Sequence, residues 1–230
     1  MNSDALAKLQ IAILVVFFTI ILLFLSRYLP VKADPEKKRR DDLAALARKL
    51  KLQFSPNGDF KLAEKFAILG WLRRGDVRYA YNVFRGCPGG CPVTIFDYHF
   101  STPGGKSGYD YYWSAFVIEM NANFPDLMIS HESRESRLAE ALGESHIAFE
   151  SAEFSRTFRV RSADKKFAYD VCNSKMMEYL LANKDLTIEI HGTAVAMLFE
   201  DWLRPEKVEF NLSRLIAIRK LLPEYLFSKE

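Results

Sequence analysis

Four residues in one short region carry the side chains best suited to chemistry: Cys87, Cys91, Asp97 and His99. Cys87-Pro-Gly-Gly-Cys91 places two thiols four residues apart in a Gly/Pro turn. Such a pair can supply half of a tetrahedral zinc site, but zinc needs further ligands. The four histidines, His99, His131, His146 and His191, are scattered singly, so no second pair completes it and no metal is expected. The expectation for Cys87 and Cys91 is free thiols, with a metal site as the weaker alternative. Cys172 lies on an apolar helix stripe and reads as a small core residue.

Asp97 and His99 are two apart in a run of strand-like sequence, so both side chains leave the same face. An acid beside an imidazole can act as an acid/base couple, and His131 is a third candidate. The competing reading is the polar face of a half-buried strand. The chain carries no G-x-S-x-G, H-E-x-x-H or Gly-Lys-Ser/Thr phosphate loop. Pro103-Gly-Gly-Lys-Ser-Gly108 resembles the phosphate loop only superficially, since the first Gly is misplaced and a strand follows. No cofactor is expected.

The elements that would position these residues follow from periodicity. Leu43, Leu46, Ala47 and Leu50 give one apolar helical face from Asp41 onward, and a shorter helix spans about Asp59 to Phe66. The period then switches to two. Val77 to Arg85 and Val93 to Phe100 read as a hairpin around Gly86 to Pro92, and Asp110 to Met120 and Leu127 to His131 as two further strands, with a turn at Phe124-Pro-Asp126. A helical connection is expected from Ser133 to Leu142, then short strands at Ile147 to Glu150 and Thr157 to Arg161. A helix follows Asp164, bent at Asn173-Ser174. Leu186 to His191 and Thr193 to Glu200 read as a second hairpin around Gly192, and Pro205 opens the last helix. The expected class is α+β: a largely antiparallel sheet in two meander or hairpin blocks, packed with helices.

Ahead of this domain, Ile11 to Leu25 is apolar except for Thr19, within a 21-residue stretch from Leu9 to Leu29. About 20 apolar residues suffice for a helix to cross a bilayer, so residues 1–30 are expected to be a transmembrane anchor. The alternative, a signal peptide cut after Ala33, fits the small residue there. Against export stand six basic residues after the span, Arg27, Lys32, Lys37, Lys38, Arg39 and Arg40, with Lys8 alone before it. That asymmetry places residues 41–230 in the cytoplasm, at the inner membrane, with 31–40 a basic linker touching anionic headgroups.

Composition excludes other classes. The net charge of +3 is nearly balanced, so no nucleic-acid partner is expected. The 18 Phe and 10 Tyr suit a filled sheet core. Three cysteines do not make a disulfide scaffold. Val77 to Phe84, Phe96-Asp-Tyr98, Phe154-Ser-Arg156, Phe158-x-Val160 and Ser162-x-Asp164 resemble a loosely defined group of uncharacterised bacterial single-pass membrane proteins with a cytoplasmic α+β domain. The resemblance implies a fold and no agreed activity. The function expected is a membrane-anchored binding or scaffold module with a lipid or protein partner; the alternative is a membrane-tethered, hydrolase-like enzyme whose site assembles only in three dimensions.

Overall fold

The structure is a computed structural model. It describes residues 3–28, 34–104, 108–131 and 147–227, with side chains of the first stretch described from 11 to 24. The chain divides into two compact units, residues 1–38 and 39–230.

In the first unit, α1 (Ser3–Tyr28) exposes its apolar side chains from Ile11 to Phe24, Ile21 being half-exposed. Thr19 bonds back to the carbonyls of Val15 and Val16 at 3.0 and 2.8 Å, so its hydroxyl costs the helix little. Among the described residues, no helix is both long and apolar enough to cross a membrane. The expected transmembrane anchor is therefore corrected, and with it the single-pass reading.

The expected α+β class with an antiparallel sheet is present in the second unit. The helix α2 (Pro35–Lys49) starts at Pro35, a residue suited to a first helical turn, six positions before the expected Asp41. Six strands form one sheet: β1 (Gln53–Ser55), β2 (Arg78–Gly86), β3 (Val93–Thr102), β4 (Tyr109–His131), β5 (Phe158–Arg161) and β6 (Thr187–Phe199). The order is β1-β2-β3-β4-β5, with β6 also paired to β4, and every pairing is antiparallel.

Two expected turns are absent. Phe124-Pro125-Asp126 and Gly192 carry the residues of chain reversals, yet β4 and β6 each run straight through. Phe124 pairs with Gly192, and the register shifts on either side of that pair. The two strands bulge together, with Gly192 at φ 57° absorbing the distortion. The two expected blocks are thus one sheet with a common central strand. Ile147 to Glu150 forms no strand, although the Ile147 N–H bonds the Val160 carbonyl at 2.9 Å. The helix expected from Ser133 to Leu142 lies outside the described residues.

Helices cover both sheet faces. On one pack α2, α5 (Lys165–Val171), α6 (Ser174–Ala182) and α7 (Pro205–Leu221), with Leu43, Phe84, Ile95, Phe116, Phe167, Met176 and Leu215 in a continuous core. On the other, α3 (Phe60–Lys65) and the turn after it bury Leu62, Phe66 and Leu69 against Phe96, Tyr98 and Trp113. The short α4 (Ala152–Thr157) precedes β5. Side-chain caps fix the short helices: Asp59, Ser151, Asp164 and Asn173 each accept a backbone N–H of the first turn.

Candidate functional site

Alternation along β3 sends Phe96, Tyr98 and Phe100 to the α3 face, and Val93, Ile95, Asp97 and His99 to the α2 face. Asp97 is wholly buried there. Three donors saturate it: Arg39 from α2 at 2.8 Å, the Asn82 amide at 2.8 Å and the Leu203 N–H at 2.5 Å. Asn82 reaches it because β2 bulges between Tyr81 and Phe84, with Asn82 itself at φ 47°. Asn tolerates that left-handed backbone better than most residues. Burial pushes the Asp97 carboxyl above the ordinary carboxylate range, while Asn82, Leu203 and Arg39 pull the other way. Burial works to lower Arg39, but Asp97 and Tyr81 together outweigh it and leave the guanidinium raised.

His99 sits one row further along the same face. Its Nε2 lies 2.9 Å from Asp110, and its ring packs between Tyr79 and Tyr112 at centroid separations of 4.7 and 5.1 Å. Asp97 and His99 are therefore close in the fold, but Asp97 spends its oxygens on other donors and His99 takes a different acid. His131 is exposed at the far end of β4, 19 residues beyond Tyr112, the cross-strand partner of His99. At about 3.3 Å per residue that separation is far beyond concerted proton transfer. The geometry brings two of the three candidates together and leaves the third apart.

Cys87 is exposed, Cys91 is half-buried, and both are free thiols on either side of the turn Pro88–Gly90. Among the described residues no three His, Cys, Asp or Glu side chains stand close enough to hold a metal ion. Cys172 is free and buried among apolar neighbours, which pushes its thiol up to about 12.

Of the basic residues expected at a membrane surface, Lys37, Lys38 and Arg40 are exposed. Arg39 instead turns to Asp97 and also donates to the Leu203 carbonyl at 3.2 Å. Lys32 and the side chain of Arg27 lie outside the described residues.

A cleft of about 150 Å³ opens on the α2 face where β6 hands over to α7. Its floor continues the Asp97 row, since Asp97 pairs with Ser114 and Ser114 with Phe199. Trp202, Leu203, Val208 and Phe210 form its walls, and Asp185, Asp201, Arg204 and Lys207 line it as well. The acids are paired: Arg204 binds Asp201 at 2.8 Å, and Arg214 grips Asp185 through two bonds of 2.9 Å. The hydrogen bond from Arg214 is the main cause holding the Asp185 carboxyl below its ordinary value. Trp202 also carries the Arg39 guanidinium over its ring at 5.6 Å and packs on Tyr112 at 5.9 Å. Sequence reasoning missed this cleft: Ser114 and Asn211 come to line it only through strand pairing and helix placement.

No protein-family model matches the chain, and no curated relative matches it either. Among solved structures it is similar to the crystal structure of the mycobacterial trehalose monomycolate transport factor A, TtfA. The two share 12% identity over 81% of this chain and 95% of that one, with a TM-score of 0.55. At that identity the likeness establishes a common fold.

Proposed function

We propose that this protein is a non-catalytic binding module that associates with a lipid membrane. The observation that carries the reading is the exposed apolar surface of α1 from Ile11 to Phe24, whose side chains are mostly more than half accessible. Apolar surface of that extent calls for a cover. Acyl chains supply one, and the exposed Lys37, Lys38 and Arg40 that follow in sequence suit anionic headgroups. The binding half of the reading rests on Asp97, a buried carboxylate committed to three donors and so poorly placed to move a proton. The similar TtfA is by its name a transport factor, which is consistent with a role in holding or presenting a molecule.

The test is co-sedimentation of the full chain with vesicles. Binding should rise with the anionic lipid fraction and fall with salt, each basic residue near the surface contributing about 1 kcal/mol. The double variant Val16→Asp, Ile20→Asp should release the protein. Equal sedimentation of this variant and the parent chain would overturn the proposal.

A further inference from the structure

We propose that Cys87 and Cys91 form a reversible disulfide across the tip of the β2–β3 hairpin, a site of exchange with a low-molecular-weight disulfide. The proposal is independent of α1 and of membrane association.

The backbone brings the two cysteines into one closed loop. Gly86 pairs with Val93 at the end of the ladder, and paired Cα atoms of antiparallel strands lie about 4.5–5.5 Å apart. Beyond that pair the Gly90 N–H donates to the Cys87 carbonyl at 3.2 Å. A turn closed in this way keeps the Cα atoms of Cys87 and Gly90 within about 7 Å. Cys91 is the next residue, on the returning arm. A disulfide needs Cα atoms about 4.4–6.8 Å apart, so the reduced loop starts near the required spacing. The glycines between the cysteines supply the remaining adjustment. Gly89 and Gly90 sit at φ 71° and 85°, and a Cβ on either would meet nothing within 4 Å. The tip can therefore move without displacing a packed neighbour.

Accessibility separates this pair from the third cysteine. Cys87 is exposed, and Cys91 is half-buried against the larger core. Exchange requires a thiolate that a partner can reach. Cys172 meets neither condition, being buried among apolar side chains with its thiol pushed up to about 12. Among the described residues, no third His, Cys, Asp or Glu joins Cys87 and Cys91 to make a metal site.

With glutathione disulfide as the oxidant, the chemistry balances in two exchanges. The Cys87 thiolate attacks one glutathione sulfur. The glutathione S–S bond breaks, a Cys87–glutathione bond forms, and one glutathione thiolate leaves. The Cys91 thiolate then attacks the Cys87 sulfur, closing the protein disulfide and expelling the second glutathione. The pair gives up two electrons and two protons, which convert one glutathione disulfide into two glutathione thiols.

Peptide mass mapping of the reduced, folded full chain after incubation with glutathione disulfide tests this. The tryptic peptide 86–106, which carries both cysteines, should become two hydrogens lighter while Cys172 stays a free thiol. Dithiothreitol should restore both thiols. Cys91→Ser should lose the lighter peptide and accumulate glutathione on Cys87. Cys87→Ser should lose the lighter peptide too. Because Cys87 is exposed, that variant decides the question if Cys91→Ser fails to fold by circular dichroism. Glutathione that accumulates on Cys87 of the parent chain without closure overturns the proposal. So does cross-linking between separate chains, a pair that does not react at all, or a lighter peptide that persists in Cys87→Ser.

Discussion

Arg39 and Asp97, 58 residues apart in sequence, form an ion pair of 2.8 Å that fastens α2 to the middle of β3. The carboxylate is wholly buried and the guanidinium reaches solvent only at one edge. Removing one partner of such a pair strands the other, whereas replacing both by apolar groups need not cost stability.

Arg39→Met should accordingly destabilise the second unit by about 3 kcal/mol in urea unfolding. Lys38→Met, on an exposed neighbour, should change it by less than about 0.5 kcal/mol. Arg39→Met combined with Asp97→Leu should recover a large part of the loss, because no charge is then left buried. If the double variant were as unstable as the sum of the singles, the pair would matter for reasons other than desolvation.

The fold class was legible because its cues are local. The switch from Leu43-Leu46-Ala47-Leu50 spacing to the alternation of Val77 to Arg85 marks where helix gives way to sheet. Turn chemistry misled at Phe124-Pro125-Asp126 and Gly192, since a Gly or Pro that permits a reversal equally permits a bulge within a long strand. The site was half legible. Asp97 and His99 announced a shared face, but Asn82, Leu203 and Arg39 meet Asp97 only through pairing and packing that no spacing encodes. The Lys-Lys-Arg-Arg run gave no sign that Arg39 turns inward to Asp97 while Lys37, Lys38 and Arg40 stay exposed.

Glu189 provides a pH test. It is buried on β6 and accepts the N–H groups of Gly70 and Trp71. Burial raises its pKa, against the pull of those two donors. The unfolded carboxyl titrates near 4.3, so between that value and the higher folded one the native state holds more proton. The resulting stability is full below about pH 4.3 and is lost as pH rises through the folded pKa. Urea midpoints measured upward from about pH 4 should show this loss in the parent chain. The slope should be shallower in Glu189→Gln; an identical slope in both would assign it to other groups.

Leu43 and Leu46 separate the inner from the outer edge of α2. Leu43 is fully buried in the larger core and Leu46 only packs against it. Leu43→Ala should cost about 2–5 kcal/mol, the range for deleting a buried leucine side chain. Leu46→Ala should cost less. Matching small losses would mean that α2 contributes little to the cooperative unit, and amide exchange along α2 would then be fast.

Gly75 and Gly89 distinguish backbone conformation from space. Both hold positive φ, 75° and 71°. A Cβ on Gly89 would meet nothing within 4 Å, whereas on Gly75 it would run into the Ser101 carbonyl oxygen and the Phe100 ring. That carbonyl cannot easily move, because it accepts the Asp76 N–H at 2.9 Å while the Ser101 N–H bonds Val77 at 3.2 Å. Gly89→Ala should therefore pay only the left-handed penalty of about 1–2 kcal/mol. Gly75→Ala should pay that plus the overlap, and lose at least about 1 kcal/mol more in thermal or urea unfolding. If the two alanine variants were equally stable, the turn before β2 would have room to shift, and the close approach of Gly75 to Ser101 would not fix the entry to the sheet.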